Sequence, residues 1–189
     1  MTKSLPFNLR VEKPYTNGNT PILISGCLLG LSCRYDGRDS RCKDILGIAS
    51  SVTIIPFCPE QLGGLPTPRP PAKILGGDGL DVLWGKASVI NSNGENVTGA
   101  FIKGAEESLM LARLTGAWIA LLKDRSPSCG LFTAYCDKTD ELGQGVTAAL
   151  FKTTGIRILE IRKGENFPAP ELMALLEGVY GRLPTHIFK

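Results

Sequence analysis

Histidine is almost missing from this 189-residue chain, with His186 the single example. It lies a few residues from the C-terminus, where chains fray, so hydrolytic triads and histidine-rich zinc sites lack the imidazole they need. Long apolar runs are missing too. The longest pieces are short and strand-like, such as Ala117 to Leu122, far below the roughly 20 residues that span a bilayer. The first 20 residues mix Lys3, Arg10, Glu12 and Lys13 with Pro6 and Pro14 and have no apolar signal-peptide core. The expectation is a soluble, cytoplasmic protein with no membrane partner. An excess of one charge is also lacking: 21 basic and 18 acidic residues, net +3, are scattered without a polybasic stripe. That argues against nucleic acid and for a small-molecule partner.

What is present suits one globular domain, with 43% hydrophobic residues to build one core. Pro21–Ser25 and Thr53–Phe57 read as buried strands, and Ala117–Leu122 as a third. Thr98–Thr115 reads as a helix with Thr98 as N-cap, Gly116 as stop, and Phe101, Ala105, Leu109 and Ala112 on one face. A helix over Gln144–Thr154, a strand over Ile156–Ile161 and an amphipathic helix over Glu171–Tyr180 follow. Strands alternating with helices predict an α/β fold, with a mostly parallel sheet covered on both faces. Pro59–Gly85 is dense in glycine and proline and reads as a functional loop or lid.

The six cysteines carry the chemistry. A reducing compartment and a chain of this size do not call for structural disulfides, so metal or catalytic roles come forward. Cys27, Cys58 and Cys129 each follow a predicted strand, and in open α/β sheets ligands bind beyond the strands' carboxyl ends. Their wide spacing excludes the short ligand runs of ferredoxins and zinc ribbons. Three thiolates suit either a four-iron, four-sulfur cluster with one open iron or a zinc ion with one open position. The competing reading makes them small buried hydrophobes. Cys33, Cys42 and Cys136 lack the strand-end pattern and read as bystanders.

Glu60, two residues after Cys58, and Ser126, three before Cys129, are candidate proton-handling groups; the plain alternatives are a solvated glutamate and a turn-capping serine. Arg34, Arg69, Lys123 and Arg125 lie in the same loops and could offset the charge of clustered thiolates. Tyr35, Asp36 and Gly37 form a turn signal that touches substrate only if it faces the crevice.

The strings ISGCLLG with SCRYDG, FCPEQLGGLPTPRPPA, VTGAFIKGAEESLMLA, KDRSPSCG and GQGVTAALF resemble the bacterial domain-of-unknown-function family that includes the thiouracil desulfurases, over roughly Pro21 to Glu160. The resemblance implies a single Rossmann-like three-layer domain over residues 21–162, between an N-terminal extension (1–20) and a C-terminal helical extension packed on the domain (163–189). It implies a cytoplasmic enzyme with a 4Fe-4S cluster on Cys27, Cys58 and Cys129, the same three that strand ends select. By motif position Ser126 and Glu60 become the catalytic candidates, with Arg34, Tyr35, Asp36 and Arg69 for substrate. The implied reaction replaces the sulfur of a thiolated pyrimidine, or a similar small thioamide, with oxygen from water and without net redox change. The alternatives are a mononuclear zinc hydrolase with three cysteine ligands and a non-enzymatic cluster-bearing sensor or sulfide carrier.

Overall fold

A computed structural model describes residues 19–136 and 143–180. In chain order the elements are β1 (Thr20–Ser25), a short 3-10 turn (Gly26–Leu29), α1 (Lys43–Gly47), β2 (Val52–Phe57), α2 (Pro59–Leu62), β3 (Ala72–Leu75), α3 (Gly79–Leu83), β4 (Ser88–Asn91), α4 (Thr98–Thr115), β5 (Ile119–Lys123), α5 (Val146–Thr153), β6 (Arg157–Ile161) and α6 (Ala169–Tyr180). Four strands form a sheet in the order β2-β1-β5-β6, every neighbouring pair parallel. Pro56 sits within β2, which is tolerated because β2 lies at the sheet edge.

Alternation along the strands sends side chains into two cores. On one face Leu23, Ala120 and Leu122 meet Phe101, Ala105 and Leu109 of α4 and Leu150 and Phe151 of α5. On the other face Ile22, Ile24, Ile119 and Leu121 meet Ile45, Ile48, Leu172 and Leu176, so α1 and α6 cover that side. This is the expected α/β arrangement. All four carboxyl ends of the parallel strands emerge on one edge, and the connections leaving that edge build the site. No helix among the described residues is long and apolar enough to cross a membrane.

Three local expectations need correction. α4 spans the predicted residues, but its N-cap is Val97; Thr98 is the first helical residue, and its Oγ1 accepts a 2.8 Å hydrogen bond from the Val89 amide. That bond ties the helix to β4. The third strand begins two residues later than expected, at Ile119, because the Ala117 amide is still bonded to the Ala112 carbonyl behind the left-handed Gly116 cap. Finally, Pro59–Gly85 is not one long loop. It holds α2, β3 and α3; β3 pairs antiparallel with β4, and α3 starts with a capping box made by Asp78 and Asp81.

The turn after β2 is clamped by glycine. A Cβ on Gly104 of α4 would run into the Pro59 carbonyl, and one on Gly63 into the Ala100 carbonyl. Only bare backbones at both positions let α2 lie this close to α4, which fixes where Cys58 and Glu60 stand.

Candidate functional site

Cys27 lies in the 3-10 turn that directly follows β1. Cys58 bridges β2 and α2 as the N-cap residue of that helix. Cys129 lies six residues beyond β5, in a turn held by the amino end of α5: the amides of Val146, Thr147 and Ala148 bond to the carbonyls of Pro127 and Ser128. A Cβ on Gly145 would press on the Ser128 carbonyl. β2, β1 and β5 are adjacent in the sheet, so the three cysteines reach one cleft of about 780 Å³ at its carboxyl edge. Cys27 and Cys129 are 7% and 6% exposed, while Cys58 is half-buried.

A fourth cysteine joins them. Cys33 is 5% exposed, lines the same cleft and is close enough to Cys27 and Cys58 for their thiols to shift its own. Its carbonyl also accepts a 3.6 Å contact from the Cys58 thiol. Cys33 therefore stands within the site rather than beside it. The signal for it was a gap of six residues, uninformative until the 3-10 turn folds the chain back. Cys42 also lines the cleft; Cys136 is half-buried and bridged to Ile74 of β3.

Cys33, Cys58 and Cys129 hold their protons tightly. Burial is the main cause of the rise of Cys129 to about 12, against the pull of a 3.5 Å hydrogen bond from Ser25 Oγ. Cys33 is pushed up to about 11, first by its hydrogen bond to Cys27, with Cys58 pulling the other way and burial adding to the rise. Cys58 is raised further, by Cys33 first and then by burial. A metal centre would supply the positive charge that turns such sulfurs into thiolates, since a coordinated thiol is deprotonated outright. Among the described residues no three His, Cys, Asp or Glu side chains are gathered tightly enough to hold one metal ion. The soft sulfur donors converging on this cleft are of the kind that iron–sulfur clusters and zinc both take.

Glu60, in the first turn of α2, lines the cleft. Its two oxygens have separate partners: Oε2 is 2.6 Å from Arg69 Nε, and Oε1 accepts a 3.2 Å hydrogen bond from Ser128 Oγ. Ser126 lines the cleft too. Its Oγ accepts from the amides of Ser128 and Cys129 at 3.2 and 3.1 Å, so it shapes the turn that presents Cys129. Ser128, 1% exposed and not among the residues lining the cleft, is the hydroxyl that meets Glu60; the SPSCG string contains both serines and local sequence does not say which one Glu60 meets. Ser25 was also missed. It bonds to Cys129 and accepts from the Lys123 amide at 3.2 Å, joining the ends of β1 and β5.

Arg34, Tyr35 and Arg69 line the cleft. Arg34 is bound to Asp36 through two contacts of 3.0 and 2.9 Å and to Ser40 at 2.6 Å. Asp36 is therefore a buttress for Arg34 and Arg38, and these arginines hold its carboxyl well below the usual range. Tyr35, 41% exposed, lines the cleft with the Arg34 guanidinium carbon 5.7 Å from its ring centroid. Lys123 and Arg125 also line the cleft, and Lys123 Nζ contacts Asp124 at 3.2 Å. Basic residues outnumber acidic ones around the cleft by nine to five.

Against this geometry the comparisons are direct. The profile of a family described as 2-thiouracil desulfurase matches residues 22–162. An uncharacterized protein of Bacillus subtilis (strain 168), YbbK, is 40% identical over 141 residues, which make up 73% of this chain and 93% of that protein. A solved structure described as a 4Fe-4S-dependent thiouracil desulfidase, TudS (DUF523Vcz), is similar with a TM-score of 0.67 and 34% identity, covering 84% of this chain and 99% of that one.

Proposed function

The chain belongs to the 2-thiouracil desulfurase family and is an enzyme of that kind; from that premise we propose that it hydrolyses the carbon–sulfur bond of a thiolated pyrimidine. Cys27, Cys58 and Cys129 would hold a four-iron, four-sulfur cluster that leaves one iron without a protein ligand. The observation that carries this reading is the convergence of three strand-end cysteines and Glu60 on one cleft. The reaction balances as thiocarbonyl plus water giving carbonyl plus hydrogen sulfide, so no oxidant or reductant is consumed.

When bound, such a cluster supplies a soft Lewis acid for a thiocarbonyl sulfur, drawing electron density from the ring carbon. The protein does the proton work. Glu60, which lines the cleft, takes a proton as water adds to the ring carbon and returns it toward the departing sulfur, while buried Ser128, hydrogen-bonded to Oε1, keeps the carboxylate oriented. Ser126 keeps the Cys129 turn in register for both. Tyr35 offers a ring face at the mouth for a planar base, and the excess of basic side chains around the cleft favours a substrate that carries negative charge.

The test uses protein purified and reconstituted without oxygen. About four irons and four sulfides per chain are expected, lost in the Cys27→Ser, Cys58→Ser, Cys129→Ser triple variant, together with release of sulfide and uracil from 2-thiouracil. Bound cluster without turnover on any of a panel of thiolated bases would replace this reading with a sensor or sulfide carrier; about one zinc and no iron would favour the hydrolase alternative.

A further inference from the structure

Arg69 is more deeply enclosed than the glutamate it holds: its side chain is 5% exposed against 14% for Glu60. Arginine has five N–H donors in a rigid fork, and the surroundings supply acceptors in every direction. Nε meets Glu60 Oε2 at 2.6 Å. Nη1 meets the Pro66 carbonyl at 3.2 Å and Thr67 Oγ1 at 3.0 Å. Nη2 meets the Cys33 carbonyl at 3.1 Å and, more distantly, Cys58 Sγ at 3.9 Å. The Arg69 amide itself donates to the Tyr35 carbonyl at 2.8 Å. The fork has no donor left for a substrate, so the substrate contact expected from sequence gives way to a different task.

We propose that Arg69 is a positioning residue that acts through Glu60. It pins Oε2 so that the other oxygen, Oε1, is presented to Ser128. It also ties the segment after β1 and the turn after β2 to the Pro66–Arg69 loop, so the carboxylate and two of the cleft cysteines share one anchor. A carboxylate with both oxygens engaged has one orientation; released from the guanidinium, it rotates about its own side-chain bonds and loses Ser128. Lysine at this position keeps a charge for Oε2 but cannot span the Pro66, Thr67 and Cys33 acceptors as well. A glutamine keeps neither the charge nor the reach. The inference rests on the desulfidase reading for its kinetic consequences only; the hold on Glu60 is a matter of geometry.

The experiment compares reconstituted wild type with Arg69→Lys, Arg69→Gln, Glu60→Gln and the Glu60→Gln, Arg69→Gln double variant on 2-thiouracil, normalised to iron content. Loss of a partner that orients a reacting group costs about 10- to 100-fold in activity. Arg69→Gln is expected to lower kcat by that factor with KM within about twofold of wild type, and Arg69→Lys to fall between. In the Glu60→Gln background the same change is expected to add less than about twofold, since the two residues act as one unit. Effects that multiply across the two sites, or a loss that disappears on normalising to iron, would overturn the assignment. A second arm needs no cluster: a crystal structure of metal-free Arg69→Gln is expected to have lost the Ser128–Glu60 hydrogen bond that metal-free Arg69→Lys keeps. Glu60 unmoved in Arg69→Gln would overturn the proposal as well. If wild type turns over no thiolated base, the desulfidase reading fails and this second arm alone decides the role of Arg69.

Discussion

Glu60 and Cys129 are held by groups that are not adjacent in sequence, Arg69 and Ser128 for the first and Ser25 for the second, and the thiols illustrate the consequence for stability. Cys33 and Cys129 are raised from an ordinary value of 9.0 to about 11 and about 12 in the metal-free fold. Above pH 9 the unfolded chain releases these protons while the folded chain keeps them, so the native state binds more protons and stability falls as pH rises. The stabilisation is fully present below about pH 9 and is lost through the window up to the folded values. The urea midpoint of metal-free protein is expected to be flat from pH 7 to 8.5 and to fall from pH 9 to 11, and Cys33→Ser, which removes one of these groups, to flatten that slope. An unchanged slope in Cys33→Ser would mean that the fold does not raise the Cys33 thiol. Of these residues, Cys27, Cys58, Cys129 and Glu60 were legible from strand ends and motif strings. Cys33, Ser128 and Ser25 were not, because their partners lie across the sheet edge.

Elements that position the site are short and held by close backbone approach. α2 has four residues and no independent stability; its place comes from lying against α4 where Gly104 and Gly63 leave room. Gly104→Ala would set a methyl against the Pro59 carbonyl, a backbone atom that cannot swing aside. A destabilisation of about 1–3 kcal/mol is expected, typical of overpacking, read as a lower urea midpoint. A change within about 0.5 kcal/mol would show that α2 shifts freely. Long elements were legible: the periodicity of Thr98–Thr115 gave α4 its true span. β3, with four residues, and α3, with five, were not, since neither is long enough to establish a period and the glycines and prolines around them dominate the composition.

At the scale of the whole molecule, the sheet divides the apolar side chains into two cores, and α6 belongs to one of them. Leu172 and Leu176 are 0% and 1% exposed and pack with Ile119 and Leu121 of β5, so this helix completes the covering of one sheet face. Leu176→Ala is expected to cost about 2–5 kcal/mol, the range for truncating a buried leucine, measured by urea unfolding; a loss below about 0.5 kcal/mol would make α6 a dispensable appendage. The 1–20 extension, apart from the last two residues, and His186 lie outside the described residues. By itself the sequence determined the α/β class, the four strands of the parallel sheet and the cysteines that follow three of them, because a strand, its end and the residue beyond it are local facts written in hydrophobic runs and turn formers. Only the tertiary structure decided that Ser128 rather than Ser126 meets Glu60, that Cys33 joins the cleft, and that Arg69 turns inward with all its donors engaged. Those outcomes depend on loops from three adjacent strands meeting at one edge, where direction is set by packing between segments far apart in the chain.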